Sequence, residues 1–504
     1  MSGSSAPCPA SPGSPVATPR PALPAGPYLV AGLGRAGRAA IEALERTVPA
    51  SQLSVWDGHP GRHTASLRRR LRARGIRVLL RGHPPEESGG TQFGCIVKSP
   101  GIPSWAVGRD ATVIDELELG WRLGSAPVVG ITGTDGKTTT ASLVAHVLRS
   151  CAGGAIVTGN SDLHEPYSAA VEPPGGWVVC EASSYQLECC PAFVPEVAVL
   201  TNLTHDHLHR HGSMAAYGGC KRRMFIRPGR VAPVAVINLE QPFGRCLARD
   251  VTAAGGQVLG YGDHLLASYR ILVCSWSLTR TTLRLATPRG PIELDLSLPG
   301  PHNARNAAAA VAVGDALGLS PEAVAAALGC AHGPPGRFEA IDEGQSFDAI
   351  VDFAHTPAAI TAIARTVRVA IDERRSGRLM IVAGAAGSVD PSKRAAMGRA
   401  ACALADHLIV TAGNPRGEDP RRLVADVLQG ALAGSGGTVA TETDRRAAIG
   451  GALSMARPGD VVLILGRGAM TRLIQTPWGD GPPFDDRQVV REELRRALHH
   501  GAGS

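Results

Sequence analysis

The run Thr132-Gly133-Thr134-Asp135-Gly136-Lys137-Thr138-Thr139 carries the clearest chemistry in the chain. An apolar stretch, Pro127 to Ile131, precedes it, and a helical pattern follows from Thr138. Glycines placed between a strand and a helix let backbone N–H groups cradle a phosphate, and a helix start favours negative charge. In that setting Lys137 reaches the terminal phosphates and Thr138 offers its hydroxyl to Mg²⁺. The strict phosphate-loop pattern would place glycine at position 131. Ile131 stands there, and the glycine comes one step earlier, at Gly130. The alternative is a glycine turn with a surface lysine.

A second glycine pattern, Gly32-Leu33-Gly34-Arg35-Ala36-Gly37, follows the apolar run from Tyr28 and opens a helical stretch. The next apolar run, Leu53 to Trp56, ends at Asp57. Strand, glycine turn, helix and a strand tipped by an acid make a nucleotide-binding pattern. Such glycines also occur where a βαβ unit merely packs tightly.

Other candidates are single residues. Glu181, at the end of the apolar run Val178 to Cys180, and His207 can hold a magnesium ion. Mg²⁺ prefers oxygen ligands and keeps several waters, so one histidine is tolerable beside ATP phosphates. Alone, Glu181 would read as a salt-bridged edge residue; sharing a unit with the phosphate loop reverses that reading. His205, His209 and His211 crowd the same stretch and raise zinc as a competitor, but no cysteine has suitable spacing. Asn303 and Asn306 lie one helical turn apart and can point the same way. Lys221 on its own is a surface lysine, and an isolated Asp352 or His355 is structural.

The elements that must position these residues alternate between strand and helix, which predicts mostly parallel sheets in an α/β fold of three domains. The divisions read as a disordered tail over 1–27, then domains over 28–124, 125–335 and 336–504. The first and last are Rossmann-like, and the central one is a P-loop ATPase domain. Strands are expected at 28–32, 53–56, 95–97, 127–131, 177–180, 197–200, 349–351, 379–383, 407–410 and 461–465. An Ala-rich helical segment over 303–328 breaks near Gly318, with Ser320 as a cap and Pro321 opening the second helix.

With 504 residues, 44% hydrophobic and 19% charged, the chain is globular and too long for one core. Its net charge of +7 is a modest excess at this length. The cluster Arg68, Arg69, Arg70, Arg72 and Arg74 is a solvated helix face, and no aromatic interleaving supports nucleic-acid binding. Eleven cysteines at irregular spacing, with no CxxC pair, argue for reduced thiols in a cytosol. No apolar stretch is long enough to span a bilayer, and the first residues lack a signal-peptide core. A cytoplasmic location is therefore expected, with no membrane partner.

Gly130-Ile-Thr-Gly-Thr-Asp-Gly-Lys-Thr-Thr139 resembles the ATP loop of the Mur ligases, including the displaced glycine. Further runs follow in the family's order: Glu181-Ala-Ser-Ser-Tyr-Gln-Leu-Glu188, Thr201-Asn-Leu-Thr-His-Asp-His207, Tyr217-Gly-Gly-Cys-Lys221, Gly300-Pro-His-Asn303-Ala-Arg-Asn306, Gly336-Arg-Phe-Glu339 and Val351-Asp-Phe-Ala-His-Thr-Pro357. The resemblance spans about residues 28 to 490. It implies an ATP-dependent ligase that joins an amino acid to a carboxylate through an acyl-phosphate. ATP would be held by Gly133 to Thr139, with Asn303 and Asn306 at the adenine end and Arg337 and Asp352 closing over phosphates and ribose. Two Mg²⁺ ions would be held by Thr138, Glu181, His207 and a carbamylated Lys221. Lys137, His207 and Lys221 would be the catalytic residues. A UDP-linked muramyl substrate and a free amino acid would be the partners of a monomeric enzyme.

The first unit, with Lys98-Ser-Pro-Gly-Ile-Pro103 and Thr158-Gly-Asn160, resembles the glutamate-adding member; Asp57, Ser99 and Asn160 are the implied substrate contacts. The last unit, with Lys393-Arg-Ala-Ala-Met-Gly398, Asn414-Pro-Arg416 and Pro483-Phe-Asp-Asp486, resembles the ligase that adds diaminopimelate or lysine. There the family's Asp-Asn-Pro-Arg has Gly413 for its acid, its Gly-Lys-Gly-His-Glu reads Gly466-Arg-Gly-Ala-Met470, and Val389 stands where an arginine is usual. A pocket without that carboxylate disfavours a second ammonium, while Arg416 still suits a carboxylate. Glutamate addition to UDP-N-acetylmuramoyl-L-alanine is the first expectation. Diaminopimelate or lysine addition, or a specialised-metabolite ligase of the same fold, is the alternative. Rivals of other classes are a dinucleotide oxidoreductase, a P-loop switch ATPase and a silent binding module.

Overall fold

The computed structural model describes residues 19–58, 65–80, 93–107, 111–161, 163–171, 176–434, 436–476 and 481–501. Three large sheets and one two-stranded ribbon, Ile226–Arg227 with Arg230–Val231, organise them. The first is fully parallel, with strands in the order Arg77–Leu80, Leu53–Asp57, Tyr28–Ala31, Cys95–Lys98, Thr112–Asp115. Its central strands are buried along their length, as expected where helices cover both faces. The arginine-rich helix, Ala65–Ala73, buries only Leu71 and presents its arginines outward.

The central sheet has nine strands. Its core is Ala155–Gly159, Trp177–Glu181, Val128–Thr132, Val197–Leu200, Val234–Asn238 and Gln257–Gly262, all parallel. The phosphate-loop strand Val128–Thr132 lies between the strands that end at Glu181 and Leu200, so three functional loops leave one edge side by side. The helix Lys137–Cys151 packs on Pro301–Ala316, whose run of buried alanines lets the two axes approach. Ser320 caps the following helix, Pro321–Gly329, by accepting from Ala323 N at 3.1 Å.

The third sheet runs Glu339–Ile341, Asp348–Asp352, Val461–Leu465, Leu379–Ala385, His407–Ala412, Thr438–Thr441, with only the first strand antiparallel.

Two expectations need correction. The sequence reading missed the antiparallel extension Tyr269–Trp276, Thr281–Ala286, Ile292–Leu296. These strands alternate buried and exposed residues, so they lack the continuous apolar runs that marked the parallel core. The tail also ends earlier than expected. Residues 19–27 are placed against the first and central units, with Leu23 packed on the first unit's core and the Tyr28 hydroxyl donating to Pro24 O at 2.6 Å. The reading for residues 1–18 falls outside the described residues.

Candidate active site

Helix starts leave unpaired N–H groups, and Lys137, Thr138 and Thr139 at the start of the helix Lys137–Cys151 line a cavity of about 810 Å³. Gly136, at φ 80°, caps this helix in the left-handed region. A Cβ on Gly133, at φ 150°, would stand 1.8 Å from Thr201 Oγ1, so only glycine fits beneath the neighbouring strand end. The front of the loop is fixed from the same side: Thr134 N and Asp135 N donate to Asn202 Oδ1 at 3.1 and 2.9 Å. Lys137 Nζ folds back onto Thr134 O at 2.8 Å.

Around this loop the structure gathers most of the expected residues. Thr138 Oγ1 donates to Glu181 Oε2 at 2.8 Å, placing hydroxyl and carboxylate together. Lys221, 1% exposed, donates to Gly133 O at 2.6 Å and stands 4.5 Å from the centre of the Tyr217 ring. Burial, then the charge of Lys137, pulls its ammonium well below the usual lysine value. Asn306 accepts from Thr140 Oγ1 at 3.1 Å and donates to Asn303 Oδ1 at 3.1 Å, which locks both amides beside the loop.

His207 adopts φ 59° and puts Nδ1 3.2 Å from the Tyr185 hydroxyl. Burial pushes it down to about 3, so at neutral pH the imidazole is uncharged and has lone-pair density for a cation. His211 instead lies 3.0 Å from Ser184 Oγ and 3.5 Å from Glu188, away from any ligand role. Among the described residues no three His, Cys, Asp or Glu side chains converge on a metal position. The ten cysteines among them are free thiols. At the loop the Thr138 hydroxyl and the Glu181 carboxylate fit an ion that takes its remaining ligands from phosphates and water, and His207 lines the same cavity.

The third unit closes the other wall. Arg337 donates to Thr138 Oγ1 at 3.2 Å and lies 4.2 Å over the Phe353 ring. Asp352 accepts from Phe338 N and Ala354 N at 2.7 and 2.6 Å, shaping the turn that presents Arg337. Thr356 donates to Asp135 at 3.2 Å.

The sequence reading missed the strongest link between these units. Asp206, 2% exposed, accepts from Lys393 Nζ at 2.7 Å, and His207 and His355 stand 3.6 and 3.7 Å from its second oxygen. Burial would raise this carboxyl, but Lys393 and the two imidazoles outweigh it and hold the group ionised well below the usual carboxylate range. Its partner lies 187 residues away, beyond any local pattern; the only hint was an acid next to His207.

Asn160, Arg337, Asp352 and Arg416 line the cavity, whereas Asp57 and Ser99 are not among its lining residues. The first unit contributes Arg35, Ala36, Pro100, Gly101 and Glu116 instead. Asp57 and Ser99 remain at the C-terminal ends of their parallel strands, beside Gly32, where a crevice for a nucleotide is expected.

A phosphate loop, a hydroxyl–carboxylate pair and an arginine from a second sheet unit around one cavity define an ATP-using enzyme. Comparison with known proteins agrees. Residues 131–314 match the Mur ligase middle domain, and 336–468 match the Mur ligase glutamate ligase domain. A UDP-N-acetylmuramoyl-L-alanyl-D-glutamate–2,6-diaminopimelate ligase of Streptomyces coelicolor is 35% identical over 73% of this chain and 76% of its own. A solved structure with the same enzyme name is 25% identical, covers 90% of this chain and 94% of its own, and has a TM-score of 0.52. The UDP-N-acetylmuramate–alanine ligase of Thermotoga maritima shares the fold at 21% identity and TM-score 0.57, over 95% of this chain and 100% of its own. The chain belongs to the Mur ligase family and is an ATP-dependent acid–amino-acid ligase. Among the described residues no helix is long and apolar enough to cross a membrane.

Proposed function

We propose that this chain forms an amide between the carboxylate of a UDP-linked muramyl substrate and a free amino acid, through an acyl-phosphate, in the building of peptidoglycan precursors in the cytoplasm. The observation that carries this reading is the convergence of Lys137, the Thr138–Glu181 pair, Lys221 and Arg337 around one cavity reached by all three units. Gly133 to Thr139 hold the triphosphate, with Lys137 and Arg337 countering charge on the transferring phosphoryl group. Asn303 and Asn306 flank the nucleotide, and Asp352 shapes the third unit's contribution. Thr138, Glu181, His207 and a carbamylated Lys221 hold two Mg²⁺ ions, which supply further neutralisation of phosphate charge. Carbamylation needs a neutral amine, and burial shifts Lys221 toward that form. The first unit binds the uridine nucleotide near Asp57 and Ser99, and Asn160 faces the acceptor. The enzyme acts as a monomer.

For the amino acid, the named relatives favour the diaminopimelate alternative over glutamate addition. One observation supports the second reading, an amino acid with a single ammonium such as glutamate. The third-unit end of the cavity holds Arg416, Arg467, Asn414 and Met470 beside Lys393 and Arg394, and the acid that lines it there, Asp390, is already engaged, accepting from Leu208 N at 2.9 Å and Ser392 N at 3.0 Å. Asn414 Oδ1 is occupied by Arg467 and by Ile474 N at 3.0 Å, and its amide faces Met470 Sδ at 3.3 Å. A Cβ on Gly413 would stand 2.7 Å from Ala385 O, so an acid there does not fit without a backbone shift. Leaving an ammonium unpaired in such a pocket costs several-fold to orders of magnitude in discrimination.

A phosphate-release screen tests both levels. ATP and Mg²⁺ are supplied with UDP-N-acetylmuramoyl-L-alanine, or its alanyl-glutamate extension, and with glutamate, lysine or diaminopimelate. The reading expects acceptor-dependent release that Lys137→Ala abolishes in a folded protein. Release with glutamate supports the second reading of the amino acid, and release with diaminopimelate alone supports the first. Release that needs no acceptor would refute ligation.

A further inference from the structure

We propose that residues 19–27 form a strap across the hinge between the first and central units, and that Arg20 is the positioning residue that clasps it. The hinge is short. The helix Glu116–Leu123 ends the first unit, and the strand Val128–Thr132 begins the central sheet. One guanidinium grips both sides: Arg20 Nη1 donates to Trp121 O at 2.8 Å, and Nη2 donates to Ala126 O. The same group lies 5.4 Å over the ring of buried Trp121.

The rest of the strap is tied to both units as well. Arg122 of the first unit donates to Ala22 O at 2.6 Å, and Pro27 O accepts from Gly94 N at 3.0 Å. From the central unit, Arg230 donates to Pro19 O at 3.2 Å and approaches the same Trp121 ring at 5.9 Å. Prolines at 19, 21, 24 and 27 restrict the segment's backbone, so ordering it costs less conformational entropy.

The geometry explains what the clasp does. Arginine's planar fork holds two carbonyls at a set separation better than a flexible ammonium could. The two carbonyls flank Gly124 and Ser125, the residues through which the chain passes from the first unit to the central one. A Cβ on Gly124 would lie 3.1 Å from Arg20 Nη1, so the clasp sits directly on the hinge. The first unit carries Arg35, Pro100, Gly101 and Glu116 to the cavity wall, and the hinge angle sets where they stand. The effect on acceptor binding rests on the function proposed above; the effect on hinge motion does not.

Hydrogen exchange of the amides from Arg122 to Ala126 reads the hinge directly. Four proteins are compared: the full chain, a chain starting at Pro19, a chain starting at Pro21, and Arg20→Ala in the full chain. The chain starting at Pro19 keeps the clasp and exchanges like the full chain. The chain starting at Pro21 and the Arg20→Ala protein exchange these amides about tenfold faster or more, by local opening. In the same two proteins KM for the UDP-linked acceptor rises while KM for ATP holds. Exchange within about twofold of the full chain in both would overturn the clasp. If no acceptor is turned over by any of the four, the ligase reading fails and the exchange result still stands.

Discussion

The role proposed for Lys221 depends on its surroundings more than on its own sequence. Lys221 sits on the helix Met214–Arg222 and reaches the carbonyl of Gly133, and burial, then the charge of Lys137, outweighs Asp206 and Asp135 and disfavours its protonated form. A buried cation beside Lys137 gains little, whereas the neutral amine can add its nitrogen to carbon dioxide and release one proton to water, leaving a carbamate anion beside the phosphate loop. Lys221→Gln isolates this effect, because its amide can still donate to Gly133 O but cannot carry a carbamate. The variant should fold with an unchanged melting temperature and lose about 100-fold or more of its turnover. Turnover near that of the unaltered protein would exclude the carbamate role. Lys137, Thr138 and Glu181 were legible in the sequence because strand, loop and helix are contiguous and their chemistry is local. Asp206 and Lys393 were not, since only closure of two units brings them together.

At the scale of elements, long runs of buried residues were readable because parallel strands covered on both faces are apolar throughout. Val461–Leu465 and Val197–Leu200 lie where the apolar runs placed them. Short edge strands such as Glu339–Ile341 carry no such run and were invisible. Equally unreadable was the joint between the strand Cys95–Lys98 and the helix Glu116–Leu123. There Lys98 and Asp115, both fully buried, pair at 2.9 Å, and Lys98 also donates to Tyr185 O of the central unit at 3.3 Å. In sequence, Lys98 only opened the run Lys98-Ser-Pro-Gly-Ile-Pro103, one residue past the strand expected at 95–97. Lys98→Met would leave the Asp115 carboxylate buried without its cation, and burial already pushes that carboxyl above its usual value. The expected cost is about 3–5 kcal/mol of stability, measured by urea unfolding. A loss below about 1 kcal/mol would show that the buried pair does not stabilise this joint.

At the scale of the whole molecule, the first and central units are stapled while the third meets them mainly at the cavity. Glu118 of the first unit accepts from Phe193 N at 2.8 Å, and Asp115 N donates to Cys189 O at 2.7 Å. The third unit instead reaches across with Arg337, Thr356 and Lys393, each touching a residue of the phosphate loop or of the loop beside it. These are the contacts that a closing domain would make and break, and closure keeps water from a reactive acyl-phosphate. That intermediate has a direct isotopic signature. An acceptor labelled with oxygen-18 in its free carboxylate is turned over with ATP and an amino acid, and the released phosphate is examined by mass spectrometry. Passage through an acyl-phosphate leaves one labelled oxygen in the phosphate, because the bond broken last is the acyl carbon–oxygen bond. Unlabelled phosphate, formed while the amide product accumulates, would contradict the account.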